Sequence, residues 1–346
     1  MQIRTIGGTF LAAAVVAASL TGLSSPAQAA QTNASSCSAQ VAVRGFSDAL
    51  NKTTFQGTYV GNLSSLAVDD RGRVSALSDR SMVFGLDRRL TPESVVSLAD
   101  ESGQPLDSEG LVIDRDGTRL VSSETEPSVR RYSADGTLLA RLPVPANLAI
   151  AAPGGGIRNR TFEGLTLDHT GRSLTASMEG WLRSDGVDTR RFQTWERKRS
   201  GEFTVGPQYS YVAETGYGIS EIAATRDGRY LVLERSFAAD VGWTAKLYLA
   251  DPNGASDVAG VASLTSGQRG VHFMGRTLLA DLDNCPAGRA VSQVPDQVNP
   301  LIDNVEGLAV TEQCGDRLQV LMVTDDDESA AQTTRLYTMD VRLPRR

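Results

Sequence analysis

One short phrase recurs five times along this chain of 346 residues. Each copy has a polar or acidic residue, a small or acidic residue, a β-forming run, a turn with glycine, and a second apolar run ending in acid. The distance from its first residue to the turn glycine is 8 positions in four copies (64→72, 109→117, 163→171, 220→228) and 9 in the fifth (306→315). A constant register across a turn indicates one supersecondary unit used five times. The copies run from Ser64 to Asp79, Glu109 to Glu124, Glu163 to Glu179, Ser220 to Glu234 and Glu306 to Asp325.

The unit is predicted to be a β-hairpin. In the second copy, two β-forming runs flank the turn Asp114-Arg115-Asp116-Gly117, and the glycine supplies the positive φ that a tight turn needs. Successive copies start 45, 54, 57 and 86 residues apart, and spacing near 50 suits the four-stranded blade of a β-propeller. The gap of 86 suggests a degenerate blade around Val271 to Leu282. We therefore predict an all-β chain with a single propeller of six blades, with five as the alternative count.

The N-terminal residues 1–30 are predicted to be a signal peptide. Arg4 precedes an apolar core, Phe10 to Leu20, and Ala27-Gln28-Ala29 fits a cleavage site. No run is long enough for a lasting transmembrane helix, so we expect a secreted protein whose propeller domain occupies residues 31–346. The net charge of −7 shows no basic excess for nucleic-acid binding. We also expect a monomer.

Three cysteines follow the predicted cleavage site, so they cannot all pair within one chain. We expect the disulfide Cys285–Cys314, which would tie a long loop to the last blade. A Cys37–Cys314 bridge stays open if Val41 to Phe46 forms a strand that completes the last blade. A lipoprotein with Cys37 as the acylated residue also stays open. Any bridge is expected to be structural.

The repeat predicts a ring of carboxylates at one mouth of the propeller channel. The first residue of each inner strand lies beside the end of its partner strand, and all inner strands start at the same face. Crowded carboxylates repel one another unless a cation lies among them, and Ca²⁺ is the cation that suits oxygen ligands outside the cell. Glu109, Glu163 and Glu306 are the predicted ligands, with Asp79 or Glu179 completing the shell. The alternative is that each glutamate only joins neighbouring blades.

Four arginines lie beside these acids in sequence: Arg80, Arg158, Arg160 and Arg235. Positive side chains next to a carboxylate-bound metal would suit a small anionic substrate such as a phosphoester. The alternative is a set of structural ion pairs. The chain has no Gly-x-Ser-x-Gly elbow, no P-loop and no dinucleotide fingerprint, and only two histidines, so metal and carboxylate chemistry is the available catalytic route.

Three phrases carry a family resemblance: Asn159 to Leu165, Leu231 to Ser236 and Asp303 to Leu308. With the other copies they make nearly the whole mature chain resemble the phytase-like family, also described as having esterase-like activity of phytase. The resemblance implies a β-propeller and hydrolysis of phosphoesters or esters. The Glu-Gly pair at a blade start is also similar to metal-dependent lactonase propellers, and Glu163 is its best positional match.

The sequence leaves open whether the protein is an enzyme. The first hypothesis is a metal-assisted hydrolase of phosphoesters or esters, with Glu163 and Asp79 in catalytic roles. The alternatives are a non-catalytic propeller of the cell envelope that binds a ligand or protein, and a metal-dependent lactonase. An enzyme should have an open metal position at the acidic mouth, whereas a binding module could bury its acids in salt bridges between blades.

Overall fold

Strands form where the repeat places β-branched and other apolar residues between two turns. The structure is a computed structural model that describes residues 35–346, so the predicted signal peptide lies outside the described residues. In chain order the strands are β1 (Val41–Ser47), β2 (Thr53–Phe55), β3 (Thr58–Val60), β4 (Leu63–Val68), β5 (Val74–Ser78), β6 (Met82–Leu86), β7 (Pro92–Ser97), β8 (Ser108–Ile113), β9 (Arg119–Ser123), β10 (Ser128–Tyr132), β11 (Leu138–Arg141), β12 (Phe162–Leu167), β13 (Ser173–Met178), β14 (Thr189–Arg197), β15 (Phe203–Val212), β16 (Gly218–Ala224), β17 (Tyr230–Ala238), β18 (Gly242–Asp251), β19 (Gly275–Asp281), β20 (Val305–Cys314), β21 (Arg317–Thr324) and β22 (Leu336–Arg342). Two short 3-10 helices cover Ala146–Leu148 and Leu282–Asn284.

Five antiparallel four-stranded sheets form the blades of one propeller. The first four are β4-β5-β6-β7, β8-β9-β10-β11, β12-β13-β14-β15 and β16-β17-β18-β19, each with its earliest strand innermost. The inner strands β4, β8, β12, β16 and β20 contact one another in a closed ring. The strands β2 and β3 form a separate hairpin. Within the described residues, no helix has the length and apolar character needed to span a membrane.

The fifth blade closes the ring with strands from both ends of the described chain. Its order is β20-β21-β22-β1, so the N-terminal strand is its outermost member. The pairing runs from Val41 beside Val341 to Ser47 beside Leu336. The predicted first strand, Val41 to Phe46, is thereby confirmed. This pairing completes the fifth blade, because separation of β1 would leave the edge of β22 without a partner strand.

The propeller has five blades, so the main prediction of six is wrong and the alternative is right. The segment expected to form a degenerate blade contains only β19, which pairs with β18 as the outer strand of blade 4. The gap of 86 residues arises from two long loops, residues 252–274 and 282–304, on either side of β19. Spacing alone cannot distinguish an extra blade from loops of this length.

Apolar residues from neighbouring blades pack between the sheets. Between blades 2 and 3, Leu120, Leu165 and Leu174 join one buried cluster with Trp195. The rings of Trp195 and Phe162 meet edge to face with centroids 5.7 Å apart. Such a pair stabilises the fold by roughly 0.5–1.5 kcal/mol beyond its burial. The repeat thus supplies each blade with a core that only the next blade completes.

The disulfide joins Cys37 and Cys285, and Cys314 is a free, exposed cysteine. The predicted Cys285–Cys314 bridge is therefore wrong, and so is the Cys37–Cys314 alternative. The N-terminal segment packs against blade 4, where the hydroxyl of Ser38 donates to the carbonyl of Leu279 in β19, six residues before Cys285. This contact brings Cys37, rather than the last blade's turn, next to Cys285.

Removing this bridge should destabilise the propeller strongly. It spans 248 residues of sequence, and cross-links over long loops restrict the unfolded chain most. We expect the double substitution Cys37→Ser, Cys285→Ser to lower the free energy of unfolding by about 2–5 kcal/mol. Denaturant unfolding of the oxidised protein measures this. The matched control is Cys314→Ser, which should change little; equal effects of the two changes would contradict the assignment.

Candidate metal centre at the channel mouth

A β-bulge occurs at the same place in all five inner strands. The register shifts between Leu63 and Ser65 in β4, between Ser108 and Leu111 in β8, and between Phe162 and Leu165 in β12. It also shifts between Ile219 and Glu221 in β16 and between Val305 and Gly307 in β20. A bulge re-aims the side chain it carries. The re-aimed residues are the first residues of the repeated phrase: Ser64, Glu109, Glu163, Ser220 and Glu306.

The glycine that follows the glutamate in three copies lets the inner strands approach closely. A Cβ atom at Gly110 would lie 2.6 Å from the backbone oxygen of Glu163 in the next blade. One at Gly164 would lie 2.6 Å from the backbone nitrogen of Ile222. Because these neighbours are backbone atoms, they cannot move aside to make room for a side chain at either position. In the Glu-Gly pair of the repeat, the glutamate therefore places a side chain at the axis, and the glycine permits close contact between the backbones of neighbouring blades.

Three glutamates from three blades meet at the axis, and we call them the inner triad. They are Glu109, Glu163 and Glu306, and they are 6%, 3% and 5% exposed. One carboxylate oxygen of each lies within 4.8 Å of the others. A second group with the same spacing, the outer triad, consists of Asp107, Glu109 and Glu124. Glu109 belongs to both triads, and Asp107 and Glu124 are less deeply buried.

Arg235 is the cation nearest to the inner triad. Its Nη2 lies 2.6 Å from Oε1 of Glu306 and 3.5 Å from Oε1 of Glu163. Burial lowers the pKa of this guanidinium, but the surrounding carboxylates outweigh that effect and raise it, so Arg235 stays charged. The ionised triad and Arg235 together carry a net charge of −2. One divalent cation would neutralise it.

The carboxylates are unfavourable in ionised form without a cation. Burial raises the pKa of Glu163 and of Glu109 well above the ordinary range, and the neighbouring carboxylates raise both further. Burial likewise raises the pKa of Glu306 to about 7 and that of Glu124 to about 8. Within residues 35–346, the buried Oε2 of Glu163 has no hydrogen-bond partner. These residues fit an oxygen-preferring divalent cation.

Asn304 adds a neutral oxygen beside the triad. Its amide nitrogen donates to Oε1 of Glu306 at 2.9 Å, which leaves its buried carbonyl oxygen without a partner among the described residues. Ca²⁺ accepts side-chain carbonyl oxygens as readily as carboxylates. Asn304 was not predicted from the sequence, because it lies two positions before the first residue of the phrase.

Blade 4 reverses the charge pattern of the other four. In those four blades an acidic residue follows the second strand of the hairpin, and its backbone N–H donates to the carbonyl of the residue two positions before the phrase. These acidic residues are Asp79, Glu124, Glu179 and Asp325. In blade 4 that place, opposite Gly218, is taken by Arg235. The fourth phrase was predicted to end at Glu234, one residue too early. Glu234 instead accepts hydrogen bonds from the Tyr211 hydroxyl and the Glu214 N–H, away from the triad.

The other predicted site residues lie around the rim. Asp79 is half-buried, and burial raises its pKa to about 6. Arg80 is exposed and pairs with Asp79 at 3.5 Å and with Glu328 at 3.7 Å. Glu179 lies beside Gly218, where an added Cβ would be 2.8 Å from its carboxylate, and belongs to neither triad.

Arg158 and Arg160 do not reach the acids. Both are exposed, and within the described range neither forms an ion pair. Arg160 lies over the ring of Trp181 at 5.1 Å. Arg158 lines an open groove of about 730 Å³ with Pro143 and Ile150. Of the four predicted anion-binding arginines, only Arg235 lies within the inner triad.

An aromatic pair stands above Arg235. Phe237 and Trp243 oppose each other on β17 and β18, with ring centroids 5.0 Å apart. Residues two apart on a strand share a face, so Phe237 projects on the same side as Arg235. The Arg235 guanidinium lies 5.6 Å from the Trp243 ring. Phe237 is 52% exposed and gives this side of the mouth an apolar wall.

Glu221 closes the channel below the inner triad. It takes the position that is glycine in three other blades, and it is 1% exposed. Its carboxylate accepts hydrogen bonds from the N–H of Leu165 at 3.0 Å and from the Ser65 hydroxyl. Ser65 Oγ in turn accepts from the N–H of Leu111. This floor links blades 1 to 4 through buried hydrogen bonds.

Without a cation, the folded protein should lose stability as the pH rises. The folded-state pKa of Glu306 is about 7 and that of Glu124 about 8, both raised from 4.5. The folded state therefore binds these protons more tightly than the unfolded chain does, and the stability this provides is lost as pH rises through those values. We expect the melting temperature in chelator to fall between pH 5 and pH 8.5.

The change Glu124→Gln should flatten that fall, because it removes one of the titrating groups. The same change at the exposed Glu312 is the control and should leave the fall intact. A melting temperature that stays constant or rises over this range would contradict the electrostatic description of the mouth.

The fold and site define a five-bladed β-propeller with an acidic channel mouth. A sequence profile of the family described as "Phytase-like: Esterase-like activity of phytase" matches residues 58–328, and the chain belongs to that family. This match confirms the resemblance found in the repeated phrases.

One sequence relative is an "Uncharacterized secreted protein" from Arthroderma benhamiae, 28% identical over 134 residues. The alignment covers 31% of this chain and 26% of the relative, so the chain spans about a quarter of that protein. Similar solved structures include virginiamycin B lyase from Staphylococcus aureus, with TM-score 0.39, 8% identity, and coverage of 84% of this chain and 68% of that one. A gluconolactonase from Xanthomonas campestris has TM-score 0.41, 13% identity, and coverage of 83% and 73%. Likeness at this level says nothing about the activity of this chain.

Proposed function

We propose that the inner triad holds a divalent cation, Ca²⁺ foremost, and that the protein is an extracellular hydrolase of phosphoesters or carboxylic esters. One observation carries the proposal: three buried carboxylates from three blades lie within 4.8 Å of one another, and Glu163 Oε2 has no partner among the described residues. The family membership supports the reaction class. The disulfide and the description of the fungal relative as secreted support the location.

Glu109, Glu163 and Glu306 would hold the cation, and Asn304 would add its carbonyl oxygen. When bound, a divalent cation supplies Lewis acidity toward the ester oxygen and lowers the pKa of a water molecule. Glu221 and Ser65 keep the floor of the site closed, so the substrate enters from the mouth alone. Arg235 would contact the anionic group of the substrate, since its buried Nε has no hydrogen-bond partner in the described part of the chain. Phe237 and Trp243 would contact an apolar part of it.

Asp79 is the residue proposed to accept the proton of the attacking water. Its pKa of about 6, raised by burial, lies near neutral pH, where a general base is most effective. It lies at the rim rather than in the inner triad, so it can remain free while the triad holds a cation. Arg80 lies beside it, with its Nε 3.5 Å from Oδ1 of Asp79.

The first test is thermal unfolding after chelation, with Ca²⁺ and then other divalent cations added back. A ligand at a hundred times its dissociation constant that binds only the folded state adds about 2.7 kcal/mol of stability. We expect such a rise for the wild type. It should be lost in Glu163→Gln, although the metal-free variant should melt no lower than the wild type, because it buries one charge fewer. Glu312→Gln is the control and should retain the rise.

Absence of a rise with any cation would overturn the metal-hydrolase proposal. The alternative, a non-catalytic binding propeller, is favoured by one specific contact: Arg235 of blade 4 bridges Glu163 of blade 3 and Glu306 of blade 5. In that case the acids and Arg235 would be a salt bridge between blades. Cation-dependent stabilisation with no hydrolysis of phosphoesters, aryl esters or lactones would also favour the binding module.

A second test follows the pH dependence of hydrolysis. Asp79 must be ionised to accept a proton, so kcat/KM should rise as the pH increases through about 6. The change Asp79→Asn should lower kcat/KM by roughly 10²–10⁴-fold and remove that limb of the profile. The exposed Asp70 provides the matched control, Asp70→Asn. An unchanged limb in Asp79→Asn would assign the base to another residue.

A further inference from the structure

The acids at the mouth extend beyond the inner triad into blade 2. The outer triad of Asp107, Glu109 and Glu124 has ligand oxygens within 4.8 Å of one another. Asp107 directly precedes β8, and Glu124 directly follows β9, with its N–H bonded to the Asp107 carbonyl. Both flank Glu109 on one blade. The hairpin of blade 2 thus builds this group by itself, whereas the inner triad needs three blades.

Glu109 has no counter-charge of its own. It is 6% exposed, and its carboxylate forms no hydrogen bond and no ion pair with any residue from 35 to 346. Glu163 and Glu306 share Arg235, but that guanidinium does not pair with Glu109. A buried carboxylate of this kind is unfavourable in its ionised form unless a cation binds beside it. Its position in both triads means that a cation in either group would contact it.

Glu124, in the outer triad, also has a carboxylate oxygen that lacks a partner. Its Oε2 is buried and has no hydrogen-bond partner within the described residues. Arg80 is the rim cation that could satisfy the outer triad, but its ion pairs are with Asp79 and Glu328, and its side chain is 64% exposed. The three carboxylates of the outer triad therefore lie close together, and within residues 35–346 none of them forms an ion pair.

The net charge of the two triads indicates whether one or two divalent cations would be needed to neutralise them. The two triads together contain five carboxylates, and Arg235 is the cation that pairs with them. Their net charge is −4 when all are ionised. One divalent cation in the inner triad leaves a net charge of −2 at the mouth, and a second divalent cation in the outer triad neutralises it.

We propose that the channel mouth binds two divalent cations that share Glu109. The inner cation lies among Glu109, Glu163 and Glu306, and the outer one among Asp107, Glu109 and Glu124. The inner position is that of the proposed function, on which this inference rests; the outer position is additional. Neither triad contains histidine or cysteine, so both positions favour oxygen-preferring cations such as Ca²⁺ over Zn²⁺.

The test counts Ca²⁺ bound per chain by isothermal titration calorimetry of the chelated, mature protein. The wild type should bind two. Asp107→Asn and Glu306→Gln should each bind one, because each removes a ligand of one position only. Glu109→Gln should weaken both positions by at least tenfold, since it is the shared ligand. Glu312→Gln should still bind two.

Each other outcome has a distinct meaning. One Ca²⁺ in the wild type that is lost in Glu306→Gln but kept in Asp107→Asn overturns the outer position and leaves the proposed function standing. No bound Ca²⁺ overturns both. Two ions in Asp107→Asn, at unchanged affinity, overturn the assignment of the second ion to the outer triad. Native mass spectrometry of the wild type gives the same count without relying on a variant that folds.

Discussion

The close approach of the five inner strands around the channel axis determines the rest of this structure. Backbones of neighbouring blades come so near that Gly110 and Gly164 have no room for a Cβ atom. Space left at the axis by these glycines is filled from blade 4, where Glu221 reaches across to Leu165 and Ser65. The bulge one residue earlier turns the preceding side chain toward the mouth. One local constraint thus creates both a closed floor and a ring of side chains above it.

This arrangement places carboxylates in a buried site, where their ionised form is unfavourable. A buried carboxylate without a partner costs several kcal/mol, and the usual response is protonation or a bound cation. Burial raises the pKa values of Glu109, Glu163 and Glu306, so without a cation it favours their protonated forms. Arg235 supplies one positive charge. Structural residues of a propeller joint would be expected to satisfy each other more completely.

The sequence predicted the features that depend on local spacing. A constant count across each turn gave the hairpins, the common mouth and the meeting of Glu109, Glu163 and Glu306, because these follow from strand periodicity and the shared start of the inner strands. The closing strand at Val41 was also predictable, since a propeller must join its ends.

Features set by long-range packing were not predictable. The number of blades depends on whether residues 252–304 form a sheet or loops, and the apolar run in β19 fits either. The pairing of Cys37 with Cys285 depends on where a loop of blade 4 meets the N-terminal segment. Arg235 was predicted only to lie beside the acids, and not to occupy the position opposite Gly218, because each phrase was expected to end in an acidic residue. A count of 15 residues, as in the first two copies, leads from Ser220 to Arg235, but the count is 16 in the third copy and 19 in the fifth.

The contacts between blades distinguish a joint from a site. If the glutamates that open each hairpin were joints, their carboxylates would bond the backbone of the next blade. Other side chains make the hydrogen bonds to the backbone of neighbouring blades: the Ser122 hydroxyl donates to the Glu163 carbonyl, and the Glu221 carboxylate accepts from the Leu165 N–H. Thr166 Oγ1 accepts from the Ala224 N–H in the same way. In the described chain the inner-triad carboxylates bond to no backbone group of a neighbouring blade. Glu163 and Glu306 do join blades through Arg235, whereas Glu109 makes no such contact among the described residues. The proposed cation would give all three carboxylates a partner.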